Sequence, residues 1–207
     1  MARPDGRTRL LDAAEVLLDT AGIDGTTGAA ITAAAGHRNA AAVNYHFGNL
    51  DQLIIAVLDR RSDELNTVRH RLLDELESAG PISPRAAFGA MIDPLANLLN
   101  SFEGRRYLRL LNQAANHPRF HSQASWQYAT SVERGAVYLA PLVQHMELER
   151  QRHRARNVLG LVLYALAEQA RTVDDATVDD ATDDLPLLTT EVFVSDLTNA
   201  ALAALAA

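Results

Sequence analysis

The sequence predicts an all-α protein. Apolar residues recur every three or four positions along most of the chain, no segment alternates apolar with polar residues at period two, and a glycine stands where each of the first four periodic runs stops. At 207 residues there is room for a small N-terminal unit and a larger helical one, and we divide them at residues 1–50 and 51–207.

Leu10, Ala14, Leu17 and Ala21 fall on one face of a helix over about 7–20, which Gly22 ends. Thr26 or Thr27 can then cap a short second helix through about Ala35, with Gly36 taking the left-handed conformation after it. Asn39 is the expected cap of a third, very short helix over 39–46, before Gly48 interrupts. Asn49 with Gln52 three residues on resembles a capping box. It opens a long helix whose apolar face is Leu50, Leu53, Ile54, Val57, Leu58, Leu65, Val68, Leu72 and Leu76, and Gly80-Pro81 stops it. Further helices are expected at about 84–101, 103–115, 119–146, 148–173 and 187–205. Between the last two, Asp174, Asp175, Asp179, Asp180, Asp183 and Asp184 repel one another, which predicts a solvated loop over 172–186.

Composition removes several functions. Without cysteine there is no disulfide, zinc–thiolate site or thiol nucleophile. No apolar run is long enough to span a bilayer, and the polar start lacks the features of a secretory signal, so the expectation is a cytoplasmic protein with no membrane partner. His117 and His121 have the spacing of two metal ligands on a helix, but Pro118 lies between them and a helix start is the better reading. Asp59 and Asp63 beside Arg60 and Arg61 read as surface charge, and neither Ser101 nor Ser125 has the setting of a nucleophile. The chain is therefore not expected to be an enzyme, nor to need a metal or cofactor. The basic run 150–156 follows Glu147 and Glu149 and has no interleaved aromatics, so it reads as a solvated helix start.

Three short helices joined by tight turns make a poor core for anything except presenting the third. That is the logic of a helix-turn-helix, in which one helix braces and the next enters the major groove of DNA. Here the pair is 27–35 and 39–46. Ala30, Ile31, Ala34, Val43 and Phe47 would supply its packing, leaving Arg38, Asn39, Ala40, Ala41, Asn44, Tyr45 and His46 to face outward. The alanines allow deep entry and can touch thymine methyls. Asn44 can pair with adenine, and Arg38 with guanine or phosphate. Thr27, Tyr45 and His46 can clamp phosphates, although Tyr45 could equally pack beneath the fourth helix. The net charge of -7 is the wrong sign for broad phosphate binding, so a local patch must serve, with Arg3, Arg7 and Arg9 as a flexible arm.

Thr26-Thr27, Ile31, Ala34-Ala35-Gly36 and Val43-Asn44-Tyr45-His46-Phe47-Gly48, followed by a long helix with Leu53 and Leu58, resemble the N-terminal domain of TetR-family regulators over residues 7–59. The tail Tyr45-His46-Phe47-Gly48 is the most specific element. Gly36-His37-Arg38-Asn39 resembles a subset of the family with a turn one residue longer. The resemblance implies a homodimer on palindromic operator DNA, usually a repressor, with a C-terminal domain that holds a small-molecule effector and dimerises through helices at about 148–173 and 187–205. The chain departs from the pattern at Leu50, near which many relatives carry a lysine for phosphate, and at Gly28, where an arginine can reach DNA.

Phe88, Phe102, Tyr107, Phe120, Trp126, Tyr128 and Tyr138 concentrate in the middle helices. Such a set can fill an ordinary core or line a pocket, and Phe88, Phe102, Tyr107, Trp126 and Tyr138 are the candidate contacts for an uncharged or weakly polar organic effector. A helical small-molecule-binding protein without productive DNA binding is the alternative function.

Overall fold

The computed structural model describes residues 5–39, 41–120, 130–178 and 188–207, which are helical with no strand among them. Asp5 opens α1 (Gly6–Gly25) by accepting the Thr8 amide N–H at 2.7 Å. Gly22 then leaves helical geometry at φ 72°, ψ 178°, so the regular helix stops where the sequence predicts. The turn that follows is closed from inside: Thr26 is buried, and its hydroxyl donates to the carbonyls of Gly22 at 2.7 Å and Leu17 at 3.2 Å. Thr27 caps α2 (Gly28–Ala34) by accepting the Ala30 N–H at 3.2 Å, and Gly36 turns the chain at φ 66°. After α3 (Ala42–Phe47), Asn49 caps α4 (Leu50–Ala79), its side chain accepting the Gln52 N–H at 2.9 Å. Leu10, Ala14, Leu18, Ile31, Val43, Leu53, Ile54, Val57 and Leu58 are buried together, so the first half of α4 is the floor on which the three short helices rest.

The remaining described helices are α5 (Pro84–Ala96), α6 (Phe102–Asn116), α7 (Thr130–Ala136), α8 (Ala140–Val143), α9 (Leu148–Val178) and α10 (Thr190–Ala206). Serines cap α5 and α6: Ser83 accepts the Ala86 N–H at 3.2 Å and Ser101 accepts the Gly104 N–H at 3.1 Å. α6 packs on both α1 and α9, and α10 lies along α9 and α5, which joins all parts into one apolar core. No helix of the described residues is long and apolar enough to cross a membrane.

Three expectations are corrected. The helix expected over 119–146 is broken: a turn occupies 118–120, α7 gives way to a 3₁₀ turn at Val137–Leu139, and α8 starts afresh around Pro141, whose missing N–H suits a first turn. α9 runs on to Val178 instead of stopping near 173, because the Asp174 carboxylate pairs with Arg105 and Arg109 of α6 rather than facing water. The rest of the acidic stretch, 179–186, lies outside the described residues. Along α4 the inner face shifts where its neighbours become α5 and α7: Ser62, Leu65, Arg69 and Leu73 are buried, while Val68, Leu72 and Leu76 are only half-buried. Leu72 and Leu76 instead line a groove of about 950 Å³ between α4, α5 and α10.

Gly104 is required by close approach. A Cβ there would stand 2.2 Å from the Leu98 carbonyl oxygen, and backbone cannot yield as a flexible side chain does. Gly104→Ala should cost about 2 kcal/mol and lower the melting temperature by about 4–8 °C. Calorimetry that finds it melting with the wild type would mean the junction before α6 is looser than described.

Candidate nucleic-acid interface

The helix that carries the candidate reading residues is six residues long and begins at Ala42, later than the expected 39. Asn39 does not cap it. Its side-chain oxygen accepts the Ala41 N–H at 2.9 Å and its carbonyl accepts the Ala42 N–H at 3.1 Å, so Asn39 shapes the turn that delivers the chain to α3. Ala42 and Val43 face inward and are buried, whereas Asn44 and Tyr45 are exposed, Tyr45 by 83%. Tyr45 is thus displayed and is not packed beneath α4.

α2 braces with a different set of residues from the one the sequence suggests. Ala30 and Ala34 are exposed. Ile31, Thr32 and Ala35 are the buried positions, and the Thr32 hydroxyl donates to the Gly28 carbonyl at 2.7 Å. Gly28 faces α3, since a Cβ there would lie 3.8 Å from the Val43 side chain. Phe47 is half-buried against the core, and so is Leu50, which adds apolar packing at the start of α4.

Of the candidate site residues, Thr27, Arg38, Asn39, Ala41, Asn44 and Tyr45 are exposed along α2, the turn and α3; His46 is half-buried, and Ala40 lies outside the described residues. The His46 ring meets Tyr45 edge-on at 5.0 Å between centroids and His37 at 6.0 Å. His37 Nε2 lies 3.1 Å from the Gly6 carbonyl oxygen and donates to it in the tautomer that protonates Nε2. That bond fastens the turn to the start of α1.

Two arginines expected in a flexible arm have a different place. Arg7 and Arg9 belong to α1: the Arg7 guanidinium lies 5.0 Å from the centre of the Phe47 ring, and Arg9 Nη1 donates to the Ala35 carbonyl at 3.2 Å. Both hold the motif together. Arg3 lies outside the described residues. The sequence gives no local sign of these contacts, because each joins positions brought close only by the fold.

The candidate interface is also tied to the larger part of the molecule. Asp19 of α1 receives Arg109 of α6 at 2.8 Å and Arg106 at 3.4 Å; Arg109 also pairs with Asp174 of α9, which Arg105 reaches at 2.6 Å. These side chains are only 12–19% exposed. His117, past the end of α6, turns its ring to Asp24 of α1 at 3.1 Å, and Arg119 pairs with Asp51 of α4. His121 is outside the described residues.

The candidate effector contacts that are described differ in their surroundings. Phe88 and Tyr107 are buried, and the Tyr107 hydroxyl donates to the Leu58 carbonyl at 3.3 Å. Phe102 is 51% exposed beneath Arg105 and Arg106. The Tyr138 hydroxyl donates to Glu77 of α4 at 2.7 Å, and Trp126 lies outside the described residues.

No protein-family model matches the chain, and no curated protein matches it. Among solved structures it is similar to a TetR family transcription regulator from Marinobacter aquaeolei VT8, with a TM-score of 0.57 and 16% identity over 96% of this chain and 94% of that one. It is also similar to the multidrug binding protein EbrR complexed with malachite green, with a TM-score of 0.48 and 17% identity over 98% of this chain and 96% of that one. The ketosteroid transcriptional regulator KstR2 of Mycobacterium tuberculosis has a TM-score of 0.46 and 16% identity over 98% of this chain and 95% of that one.

Proposed function

We propose that this chain, which has the all-helical fold of a TetR family transcription regulator, is a ligand-responsive DNA-binding regulator that represses from a palindromic operator as a homodimer in the cytoplasm. The observation that carries this reading is the outward display of Asn44 and Tyr45 on a helix whose other side, Ala42 and Val43, is buried against its supports. A helix held in that way can enter a major groove without unpacking anything. Asn44 then pairs with adenine and Arg38 with guanine or phosphate. Ala40 and Ala41 leave room for thymine methyls, and Thr27, Asn39, Tyr45 and His46 fix register on the backbone. Residues 1–50 read DNA, and residues 51–207 take the effector and dimerise.

The dimer face is the outer side of α9 and α10, where Leu161, Tyr164 and Val192 are exposed although large and apolar. Leu161→Glu with Tyr164→Glu should convert the dimer to a monomer in sedimentation equilibrium at micromolar concentration. A dimer that survives both substitutions assembles through another face.

Two reading helices must stand about 34 Å apart, or a multiple of that, to meet successive turns of one DNA face. An effector that favours another spacing lowers operator affinity by its difference in binding energy between the two states, about 1–3 kcal/mol. Selection of bound fragments from sheared genomic DNA tests the reading: the expected product is an inverted repeat whose half-sites keep that separation. A second reading, a helical small-molecule binder without productive DNA binding, is favoured by the net charge of -7 and by the inward engagement of Arg7 and Arg9. No enriched sequence in the selection would decide for it.

A further inference from the structure

Arg69 is 6% exposed, in the middle of α4. Its Nε donates to the Met91 carbonyl of α5 at 2.9 Å, and among the described residues that is the guanidinium's one hydrogen bond. No carboxylate of the described residues pairs with it, in contrast to the less buried Arg60, Arg105, Arg109 and Arg134, each of which has at least one. Residues 121–129, just ahead of α7, contain no Asp or Glu. Burial draws the Arg69 pKa down to about 10, which still leaves it charged at neutral pH.

A second orphan lies at the same junction. The Ser131 hydroxyl of α7 is fully buried and has no hydrogen-bond partner among the described residues. The backbone N–H of Ser131 donates at 2.9 Å to the side chain of Asn66, one turn before Arg69 on α4. One turn after Ser131, Gly135 is pressed against Met91, since a Cβ at Gly135 would stand 2.5 Å from the Met91 sulfur. α7 therefore covers the turn of α4 that holds Arg69 and the turn of α5 that accepts its hydrogen bond.

We infer that the junction of α4, α5 and α7 is a binding site for an organic monocarboxylate, with Arg69 gripping the carboxylate and Ser131 supplying a further donor. A buried guanidinium with no counter-charge among the described residues is the group best matched to an incoming carboxylate, which it meets through two parallel N–H bonds. Met91, Leu65, Leu73 and Tyr107 make the surroundings apolar, so the rest of the ligand is apolar too. This replaces the uncharged effector expected from the aromatic residues. That the acid is the effector rests on the regulator reading; that it binds does not.

The full chain is melted with benzoate, phenylacetate and octanoate, each beside its amide at equal concentration. At least one acid should raise the melting temperature while its amide does not. Arg69→Met should remove that shift and weaken binding at least about tenfold, and Ser131→Ala should weaken it by less. Without ligand, Arg69→Met should melt at or above the wild type, because it removes an unpaired buried charge. Acids that act no better than their amides, an Arg69→Met variant that binds them as well as the wild type, or one that melts well below it without ligand would each overturn the assignment. Binding that leaves the selected DNA complex intact would support the site and count against its being the effector site. Failure to select any DNA would leave the melting result standing on its own.

Discussion

Asn44→Ala should lower affinity for the selected operator by at least about tenfold, because a side chain that pairs with a base edge contributes roughly 1–3 kcal/mol of discrimination. The loss should be confined to sequences that present the matching base. Tyr45→Ala should weaken all sequences more evenly and reduce the salt dependence, as expected for a phosphate contact. Neither change should disturb the fold, since Asn44 is exposed and Tyr45 is 83% exposed. Fluorescence anisotropy against the operator and a base-swapped version separates the two effects, and melting curves serve as the control. If both variants bound like the wild type, the reading surface would lie elsewhere than α3.

The second large effect is one of stability. Arg109→Met removes the cation shared by Asp19 and Asp174, whose side chains are 15% and 19% exposed, breaking two ion pairs in a poorly solvated place and leaving Arg106 with Asp19 and Arg105 with Asp174. Breaking a buried ion pair in this way costs about 3–5 kcal/mol, and for a chain of this size each kcal/mol moves the melting temperature by about 2–4 °C. A fall of roughly 10 °C is therefore expected at neutral pH. Asp174→Asn should cost less in the Arg109→Met background than alone, because the two residues share one interaction. Additive losses would show that the pairing contributes nothing beyond packing.

Much of the N-terminal architecture is legible in the sequence because its determinants are local. Thr27 and Asn49 cap helices that follow them directly, and Gly22 and Gly36 adopt backbone geometry that their immediate surroundings demand. Asn39 shows where locality stops: the same carboxamide that would cap a helix also closes a turn, and nothing within a few residues decides between them. The end of α9 was not legible for a different reason. Carboxylates in a run repel one another, but Asp174 is held by two arginines more than sixty positions away, and that attraction prevails. Arg69 escaped because apolar periodicity counts only apolar side chains, so a charged residue on the inner face of α4 looks like an interruption of the stripe. The exposure of Asn44 and Tyr45 was legible because packing has no use for them; which aromatics face a ligand leaves no such mark, since Phe88 and Tyr107 serve the core equally well.

The bonds from Asp19 and Asp24 of α1 to Arg106, Arg109 and His117, and from Asp51 to Arg119, have a practical consequence. The N-terminal end of the molecule is not a portable module. A fragment cut after α4 would keep every exposed side chain of α3 yet lose the girder that sets their angle, and would bare the flank of α1 that α6 shelters. Anyone transplanting this head onto another scaffold must carry α6 along as its keel.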